Sequence, residues 1–377
     1  MVQKAIVLVG GFGTRLRPLS CTRPKALFPV ANVPLLERVV RALAEGGVEE
    51  VVLAVSYQAD LIEAKLGGGE KFSIRIKYSR EKHPLGTAGP LWYARDELRD
   101  SGPFFMLNGD IIAEVDYKSL LEFHQEKGGM ASIALHEVED PSRYGVVDLD
   151  SSKRILKFVE KPPEDEAPSN LINAGCYALN PEVIDMVPEG KKTSIEREIF
   201  PKIAEKGKLF GFKSDSIWID LGLPGDYLCA NRTMLERECK KASSSVIIDS
   251  TAKIGKNTKI RGPTIIGTNC IIGENCDIGP YVAIGEDTVI GDGVNLEDTV
   301  IFPRSAIKNF SSIAYAILGE GVVIGQWVKI QGSPEEGQVV ILGDCCEVTD
   351  KLTVTAGTSV CPFKCLKECV LTPQRIL

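Results

Sequence analysis

The chain has few histidines and no long apolar run. Three histidines occur among its 377 residues, His83, His124 and His136, and none stands in a motif typical of a catalytic base. No apolar run approaches the roughly 18–20 residues that span a bilayer, and the first apolar strand begins too early to leave room for a signal peptide. We therefore expect a cytoplasmic protein that does not enter a membrane.

The chain also lacks an excess of positive charge. Its formal net charge is −7 and its pI is near 5.3. Proteins that bind nucleic acid generally present a basic face. The composition argues against a nucleic-acid partner, so any phosphate binding must depend on a few local cations.

Cysteine, in contrast, is plentiful. The eleven cysteines are an odd number spread along a chain without a secretory segment, which predicts reduced thiols that serve as small apolar side chains. Cys361, Cys365 and Cys369 could meet at a metal if the tail were helical. No histidine or C-x2-C pair completes such a site, so we do not expect one there.

Residues 1–235 alternate between short apolar runs and amphipathic stretches, which predicts an α/β domain with a Rossmann-like, mostly parallel sheet and helices on both faces. Ligands then bind at the carboxyl ends of the strands. The predicted strands are Ala5–Val9, Glu50–Val55, Ile74–Tyr78, Phe104–Leu107 and Ala131–His136. The predicted helices are Leu35–Glu45, Thr87–Leu98 and Tyr117–Gln125.

A polar linker over 236–245 is followed by a six-residue period over 246–377. A large apolar residue recurs at this spacing and is often followed by glycine, a pattern that fits stacked coils of short parallel strands and neither a helix nor an alternating strand. The second domain resembles the hexapeptide-repeat left-handed β-helix, and the hand is implied by that resemblance. The seventeen inward positions predicted are Ile248, Ile254, Ile260, Ile266, Ile272, Ile278, Ile284, Ile290, Leu296, Phe302, Leu318, Ile324, Ile330, Leu342, Val348, Val354 and Val360.

A glycine-rich turn follows the first predicted strand. Its backbone N–H groups could approach a polyphosphate, and Arg15 and Lys25 could supply cations. The third glycine of a dinucleotide fingerprint is missing, which disfavours a dehydrogenase. The whole run, Gly10-Gly11-Phe12-Gly13-Thr14-Arg15-Leu16-Arg17-Pro18 with Pro24-Lys25, resembles the start of the sugar-1-phosphate nucleotidyltransferases (NDP-sugar pyrophosphorylases).

Two aspartates follow apolar strands, Asp110 in Leu107-Asn108-Gly109-Asp110 and Asp220 in Trp218-Ile219-Asp220. Taken alone, each could be a turn or N-cap residue. Two carboxylates at strand ends could instead hold one Mg²⁺. The family resemblance favours the metal role, because both positions match its metal aspartates.

Three further segments resemble those with which the family holds the sugar phosphate: Tyr144-Gly145-Val146, Val159-Glu160-Lys161-Pro162 and Asn173-Ala174-Gly175. The resemblance implies that Lys161 contacts the phosphate and that Glu160 and Asn173 contact sugar hydroxyls. Gly145 would leave room for the sugar against the backbone. Arg15, Lys25 and Lys161 are the expected catalytic cations.

The nucleotide-reading segment is predicted at Glu81-x-x-Pro84-Leu85-Gly86-Thr87-Ala88-Gly89-Pro90, which resembles that of the β-type GDP-mannose pyrophosphorylases, as does Thr193–Pro201. A carboxylate suits guanine, whose N1–H and N2 amino groups are adjacent donors. Glu81 is thus a candidate guanine reader, and a solvated loop charge is the alternative. Gly10, Gly11, Gly13, Thr14, Gly86 and Thr87 complete the predicted nucleotide site.

The predicted reaction joins a nucleoside triphosphate to a hexose 1-phosphate, with GTP and mannose 1-phosphate favoured. The alternatives are glucose-1-phosphate thymidylyl- or uridylyltransferase, and a regulatory relative that binds NDP-sugar without making it. An acyltransferase in the β-helix is disfavoured because no histidine follows His136. We expect the β-helix to pack subunits into a homo-oligomer.

Overall fold

The computed structural model describes residues 4–81 and 83–377. The first three residues of the predicted first domain, and position 82 in the nucleotide-reading segment, lie outside the described residues. The chain forms two compact units, one of residues 1–11 and 35–220 and the other of residues 12–34 and 221–377. The second unit therefore includes two stretches that the sequence-based division assigns to the first domain, and that division at residue 235 stays a prediction.

The strands before residue 221 are short, as expected for an α/β unit. They are β1 (Lys4–Leu8), β2 (Pro29–Val30), β3 (Val33–Pro34), β4 (Glu50–Val55), β5 (Arg75–Arg80), β6 (Phe104–Asn108), β7 (Ile111–Ala113), β8 (Ala131–Glu137), β9 (Gly145–Leu149), β10 (Ile155–Glu160), β11 (Leu171–Leu179), β12 (Leu209–Lys213) and β13 (Trp218–Asp220). The helices of the whole described chain are α1 (Leu35–Glu45), α2 (Ala59–Leu66), α3 (Gly89–Tyr93), α4 (Arg95–Leu98), α5 (Tyr117–Lys127), α6 (Phe200–Glu205) and α7 (Pro224–Lys241). Single 3-10 or π turns span Thr14–Leu16, Leu19–Cys21, Lys25–Leu27, Glu70–Phe72, Glu164–Glu166, Pro181–Met186 and Ile195–Ile199.

The first unit is built on one sheet in the order β10-β9-β11-β6-β1-β4-β5, with β8 and β12 branching from β11. The pairs β5–β4, β4–β1 and β1–β6 are parallel, as is the pair β8–β12. β11 is antiparallel to both β6 and β8, and β9 and β10 form an antiparallel hairpin. β4 is buried along its whole length, which explains its unbroken apolar sequence. The parallel half places the carboxyl ends of β1, β4, β5 and β6 along one edge.

The predicted strands and two of the predicted helices agree with the structure to within a few residues, but the predicted helix Thr87–Leu98 begins later and is interrupted. Two short helices, α3 and α4, stand in its place and meet at Ala94, where the backbone leaves helical values (φ −92°, ψ 8°). Thr87 lies before them because its hydroxyl accepts a hydrogen bond from the backbone N–H of Ile195. This hydrogen bond, between residues 108 positions apart, holds Thr87 outside α3.

In the second unit, the chain after α7 forms a parallel β-helix. Its strands are β14 (Val246–Ile248), β15 (Lys253–Ile254), β16 (Lys259–Ile260), β17 (Thr264–Ile266), β18 (Ile271–Ile272), β19 (Asp277–Ile278), β20 (Val282–Ile284), β21 (Val289–Ile290), β22 (Asn295–Ile301), β23 (Ala306–Ile307), β24 (Ser312–Leu318), β25 (Val323–Ile324), β26 (Lys329–Gln331), β27 (Val340–Leu342), β28 (Glu347–Val348), β29 (Thr353–Thr355), β30 (Ser359–Val360), β31 (Cys365–Leu366) and β32 (Arg375–Ile376). They stack in two main ladders, β14-β17-β20-β22-β24-β27-β30-β32 and β15-β18-β21-β23-β25-β28-β31. The recurring apolar residues fill one continuous interior from Ile266 to Val370, as the six-residue period predicts. Ile248 and Ile254 are exposed because they lie in the first coil, at the end of the stack.

The period breaks earlier than predicted. Ile266 pairs with Ile284, 18 residues later, but Ile284 pairs with Ile301 after only 17. Ile301 therefore occupies the interior, and the prediction of an inward Phe302 is wrong. Phe302 instead packs outside the coil, with its ring 5.9 Å from that of Phe28.

Candidate active site

Gly10, two residues after β1, lies beside two residues from neighbouring strand ends. Ser56, after β4, donates a hydrogen bond from its hydroxyl to the Gly10 carbonyl at 2.8 Å. A Cβ at Gly10 would lie 2.9 Å from Ser56 Oγ and 3.7 Å from Glu81 Oε2. The first half of the glycine-rich motif thus packs against the strand end that carries Glu81, and a side chain at residue 10 would displace its neighbours.

Glu81 has the environment of a recognition group. Its backbone N–H donates to the Val55 carbonyl at 3.0 Å, which fixes it at the end of β5. Burial raises the pKa of its carboxyl to about 7, against the opposing effect of a hydrogen bond from the Leu85 backbone. Oε1 is buried and, within the described part of the chain, has no hydrogen-bond partner. A buried acceptor of this kind is costly unless a ligand supplies the donor.

The loop that follows Glu81 is held by a second segment. Ala88 N donates to the Thr193 carbonyl at 3.0 Å, and Thr193 N donates to the Leu85 carbonyl at 2.9 Å. Thr87 donates its hydroxyl to the buried carboxylate of Glu196. Thr87 therefore organises the loop through Glu196, and its direct contact with a nucleotide stays a prediction.

The two predicted metal aspartates come together. β13 pairs antiparallel with β7, which places Asp220 opposite Ile111, the residue after Asp110. Both aspartates are partly exposed. Two aspartates at neighbouring backbone positions would suit Mg²⁺, which takes one or two carboxylates together with substrate phosphates. The pairing of β7 with β13 supplies what the sequence alone could not, the adjacency of residues 110 positions apart.

The sugar-phosphate residues lie on β9, β10 and β11. Gly145 pairs with Glu160, and a Cβ at Gly145 would lie 2.8 Å from Glu160 Oε2. Ile172 pairs with Val146, so Asn173 follows along β11 on the Gly145 side. Lys161, which is exposed, donates its backbone N–H to the Tyr144 carbonyl at 2.9 Å. The structure thus groups all four predicted residues, although their roles stay predictions.

The carboxyl of Glu160 is half-buried and senses a neighbouring charge. Burial, and then the charge of Glu196, raise the pKa of Glu160. Asn173 donates from its amide to the Tyr177 hydroxyl at 2.9 Å and accepts from the Gly175 backbone at 2.9 Å. These two bonds orient the Asn173 side chain, as a hydroxyl-binding group requires.

The remaining predicted residues belong to the second unit. Gly13 has φ +58°, and a Cβ there would lie 3.3 Å from the Lys25 Cβ and 3.2 Å from the Ser20 Cβ. Ser20 donates its hydroxyl to the Gly13 carbonyl at 2.7 Å. Thr14 and Arg15 are exposed, whereas Lys25 is 6% exposed. Gly13, just before the turn with Arg15, therefore lies close to Lys25 and is held by Ser20.

Sequence reasoning missed two residues that organise the site, Ser56 and Glu196. Ser56 follows an apolar strand with no motif around it, so it left no signal. Glu196 lies in Thr193–Pro201, a segment that resembles the β-type GDP-mannose pyrophosphorylases. That resemblance does not assign a role to any single residue of the segment. Both act through hydrogen bonds to distant segments.

Residues 4–81 and 83–377 contain no group of three or more His, Cys, Asp or Glu side chains placed to hold a metal ion. The tail that carries Cys361, Cys365 and Cys369 contains strand β31 instead of a helix. None of the eleven cysteines forms a disulfide in the part of the chain that the structure describes. Over the same residues, none of the helices has the length and apolarity that crossing a membrane requires.

Comparison with known proteins agrees with this geometry. Residues 4–237 match the family model described as Nucleotidyl transferase, and residues 262–376 match the GMPPB C-terminal domain. The chain belongs to the nucleotidyl transferase family, a class of enzymes, as the fold and the glycine-rich motif predict.

The similarity to individual proteins extends over the whole chain. Mannose-1-phosphate guanylyltransferase 1 of Arabidopsis thaliana is 42% identical over 99% of this chain and 100% of its own length. A mannose-1-phosphate guanyltransferase of Pichia angusta is 40% identical with the same coverage. The crystal structure of HddC from Yersinia pseudotuberculosis complexed with GMP-PN is 31% identical, with a TM-score of 0.54, over 62% of this chain and 99% of that one.

Proposed function

We propose that this protein is a mannose-1-phosphate guanylyltransferase, which joins GTP to mannose 1-phosphate to give GDP-mannose and pyrophosphate. The observation that carries the proposal is the identity of about 40% to enzymes of that name over the full length of both chains. The buried, unpartnered Oε1 of Glu81 supports it, because guanine offers two adjacent donors to a carboxylate.

The reaction requires no protein base. A sugar phosphate has a second pKa of about 6 and is already a dianion near neutral pH. One of its oxygens attacks the α-phosphorus of GTP, the bond to the bridging oxygen breaks, and pyrophosphate leaves with that electron pair. The catalytic problem is to bring two polyanions together.

Charged residues of this chain would solve that problem. Lys161 would hold the sugar phosphate, while Glu160 and Asn173 would orient the hexose hydroxyls. Arg15 and Lys25 would stabilise charge on the triphosphate and the departing pyrophosphate. Asp110 and Asp220 would hold Mg²⁺, which supplies further positive charge to the phosphate oxygens when bound.

The test is pyrophosphate release measured for GTP, UTP, dTTP and ATP, each with mannose 1-phosphate and with glucose 1-phosphate. We expect the highest kcat/KM for GTP with mannose 1-phosphate. A preference for dTTP or UTP with glucose 1-phosphate would support the thymidylyl- or uridylyltransferase alternative. Binding of GDP-mannose without turnover of any pair would support the regulatory alternative.

We also propose that the protein assembles into a homo-oligomer through the β-helix and acts in the cytoplasm. Flat ladders of parallel strands support the first proposal, since such faces pack readily against copies of themselves. Light scattering at micromolar concentration should give a mass above that of one chain, and a monomeric mass would contradict the assembly.

A further inference from the structure

Residues 12–34, here called the cationic loop because they include Arg15 and Lys25, contact the β-helix of their own unit along its length. Asn32 donates from its amide to the Ile284 carbonyl at 2.7 Å, in an early coil. Phe28 packs against Phe302 one coil later. Arg23 reaches Glu320 and Asp344 in the next two coils. The loop therefore crosses successive coils in order.

Arg23 makes the most polar of these contacts. Its Nη2 lies 2.6 Å from Glu320 Oε2 and 2.7 Å from Asp344 Oδ2. The Thr22 hydroxyl donates to the same Asp344 oxygen at 2.7 Å. The Arg23 side chain is 16% exposed and that of Asp344 is 9% exposed. Water screens a pair this deeply buried only weakly, and removing one partner leaves the other without compensation.

The coils are adapted to receive the loop. The backbone N–H of Phe302 donates to Leu318 and that of Gly285 donates to Ile301, so Phe302 occupies the position that glycine holds one coil earlier. The shortened coil thus presents an aromatic ring outward, where the guanidinium of Arg23 lies 5.1 Å from its centroid. Both Phe302 and Phe28 are almost completely buried. Apolar and ionic contacts converge on one stretch of the loop.

The anchored stretch is directly connected to the cations. Lys25 is two residues after Arg23 and begins the 3-10 turn that ends at Leu27, next to Phe28. Gly13 packs against Lys25, and Ser20 holds the Gly13 carbonyl, so the position of Arg15 depends on the same anchor.

We propose that Arg23 is a positioning residue, and that its contacts with Glu320, Asp344 and Phe302 make the β-helix the support that fixes Lys25 and Arg15 for catalysis. This inference rests on the proposed function for its kinetic consequence. It gives the β-helix a role in the reaction within a single chain, in addition to any part in assembly.

The experiment compares three variants of the full chain, Arg23→Ala, Arg23→Lys and Arg304→Ala. Arg304 also pairs with Glu320, but it comes from the β-helix itself, so it is a matched control. Kinetics are measured separately for each substrate, together with hydrogen exchange of peptides from residues 12–28 and from the β-helix.

For Arg23→Ala we expect kcat/KM for the nucleoside triphosphate to fall at least about tenfold, since displacing a catalytic group by about 1 Å can cost 10²-fold. KM for the hexose 1-phosphate should change by less than about twofold, because Lys161 and Asn173 are untouched. Exchange should accelerate in residues 12–28 and stay unchanged in the β-helix. Arg23→Lys should recover part of the loss, and Arg304→Ala should behave like wild type.

Equal kinetics for Arg23→Ala and Arg304→Ala would overturn the proposal, as would faster exchange throughout the β-helix, which would indicate a purely structural residue. If the wild-type chain turns over no nucleotide–sugar pair, the proposed function fails. In that case, unchanged hydrogen exchange of residues 12–28 in Arg23→Ala would still contradict the proposal that Arg23 anchors the cationic loop.

Discussion

The two units are organised by different kinds of contact. In the β-helix, each interior residue stacks on its equivalent one coil away, as Ile266 does on Ile284. In the sheet unit, Asp220 is brought opposite Ile111, the residue after Asp110, by one strand pair that joins distant parts of the chain. Repetition fixes the interior of one unit, while long-range pairing builds the site in the other.

The difference teaches where to look for function in each unit. In the sheet unit, the informative positions are the strand ends, where Gly10, Glu81 and Asp110 lie. In the β-helix, they are the places where the repeat fails. The 17-residue coil that ends at Ile301 turns Phe302 toward the cationic loop, whereas the two coils before it carry Gly267 and Gly285 at the equivalent position.

The largest expected effect tests the long-range pair. Asp110→Asn removes one of the two adjacent carboxylates and should lower kcat by roughly 10³-fold or more, equivalent to about 4 kcal/mol in activation free energy. Steady-state pyrophosphate release measures it. Asp100→Asn, at an exposed position, should retain wild-type turnover, and comparable turnover in the two variants would contradict the assignment.

The next effect tests the position of the break in the repeat. Ile301 is fully buried in the β-helix interior, so Ile301→Ala should lower the free energy of unfolding by about 3 kcal/mol through lost burial and a cavity. Chemical denaturation measures the loss. Phe310→Ala, at an exposed position stacked on Trp327, should cost less than about 1 kcal/mol, and a reversal of this order would place the break elsewhere.

A smaller effect concerns base selection. Glu81→Gln should reduce the preference for GTP over UTP by about 1–3 kcal/mol, the value of a good bidentate base contact. In the wild type, KM for GTP should rise as pH falls below about 7, because protonated Glu81 no longer accepts both donors. The variant should lack this pH dependence, and an unchanged profile would exclude Glu81 as the guanine reader.

The same substitution predicts a stability change with a definite sign. Burial raises the pKa of Glu81, so the folded state holds this proton more tightly than the unfolded state does. The contribution of Glu81 to stability should therefore decline as pH rises from about 4.5 to about 7. Urea denaturation of ligand-free Glu81→Gln should lack that contribution, and identical pH profiles would contradict the burial.

The smallest effect is local to one helix of the sheet unit. Asp116 caps α5 by accepting the Ser119 backbone N–H at 3.1 Å, and Asp116→Ala should cost about 1 kcal/mol. Ser119→Ala keeps that backbone bond and should cost less. Equal losses in urea denaturation would show that the side-chain bond between the two residues dominates.

Much of the fold follows from the sequence because its signals are local. The buried strand β4 and the amphipathic helix α1 agree with the prediction to the residue. The late start of α3 was not predictable in this way, because Thr87 is held by a partner at residue 195. Likewise, whether residue 301 or 302 points inward depends on how neighbouring coils align. The six-residue period alone does not determine this.

The candidate site was predictable as a set of residues but not as an arrangement. The motifs carrying Asp110, Asp220, Gly145 and Glu160 pointed to the residues, and strand pairing then determined which became neighbours. Ser56 and Arg23 had no motif at all. Their importance comes from single hydrogen bonds and ion pairs across long sequence separations, and no local pattern encodes those.

The glycine-rich motif is divided between the two units, with Gly10 and Gly11 in one and Gly13, Thr14 and Arg15 in the other. Modular recombination is therefore constrained in this chain. In a chimera that carries the β-helix of a relative, residues 12–34 would contact a surface with different side chains. Grafting should succeed only when the donor coils also carry an aromatic side chain and paired acids at the positions of Phe302, Glu320 and Asp344, or when Arg23 is exchanged with them.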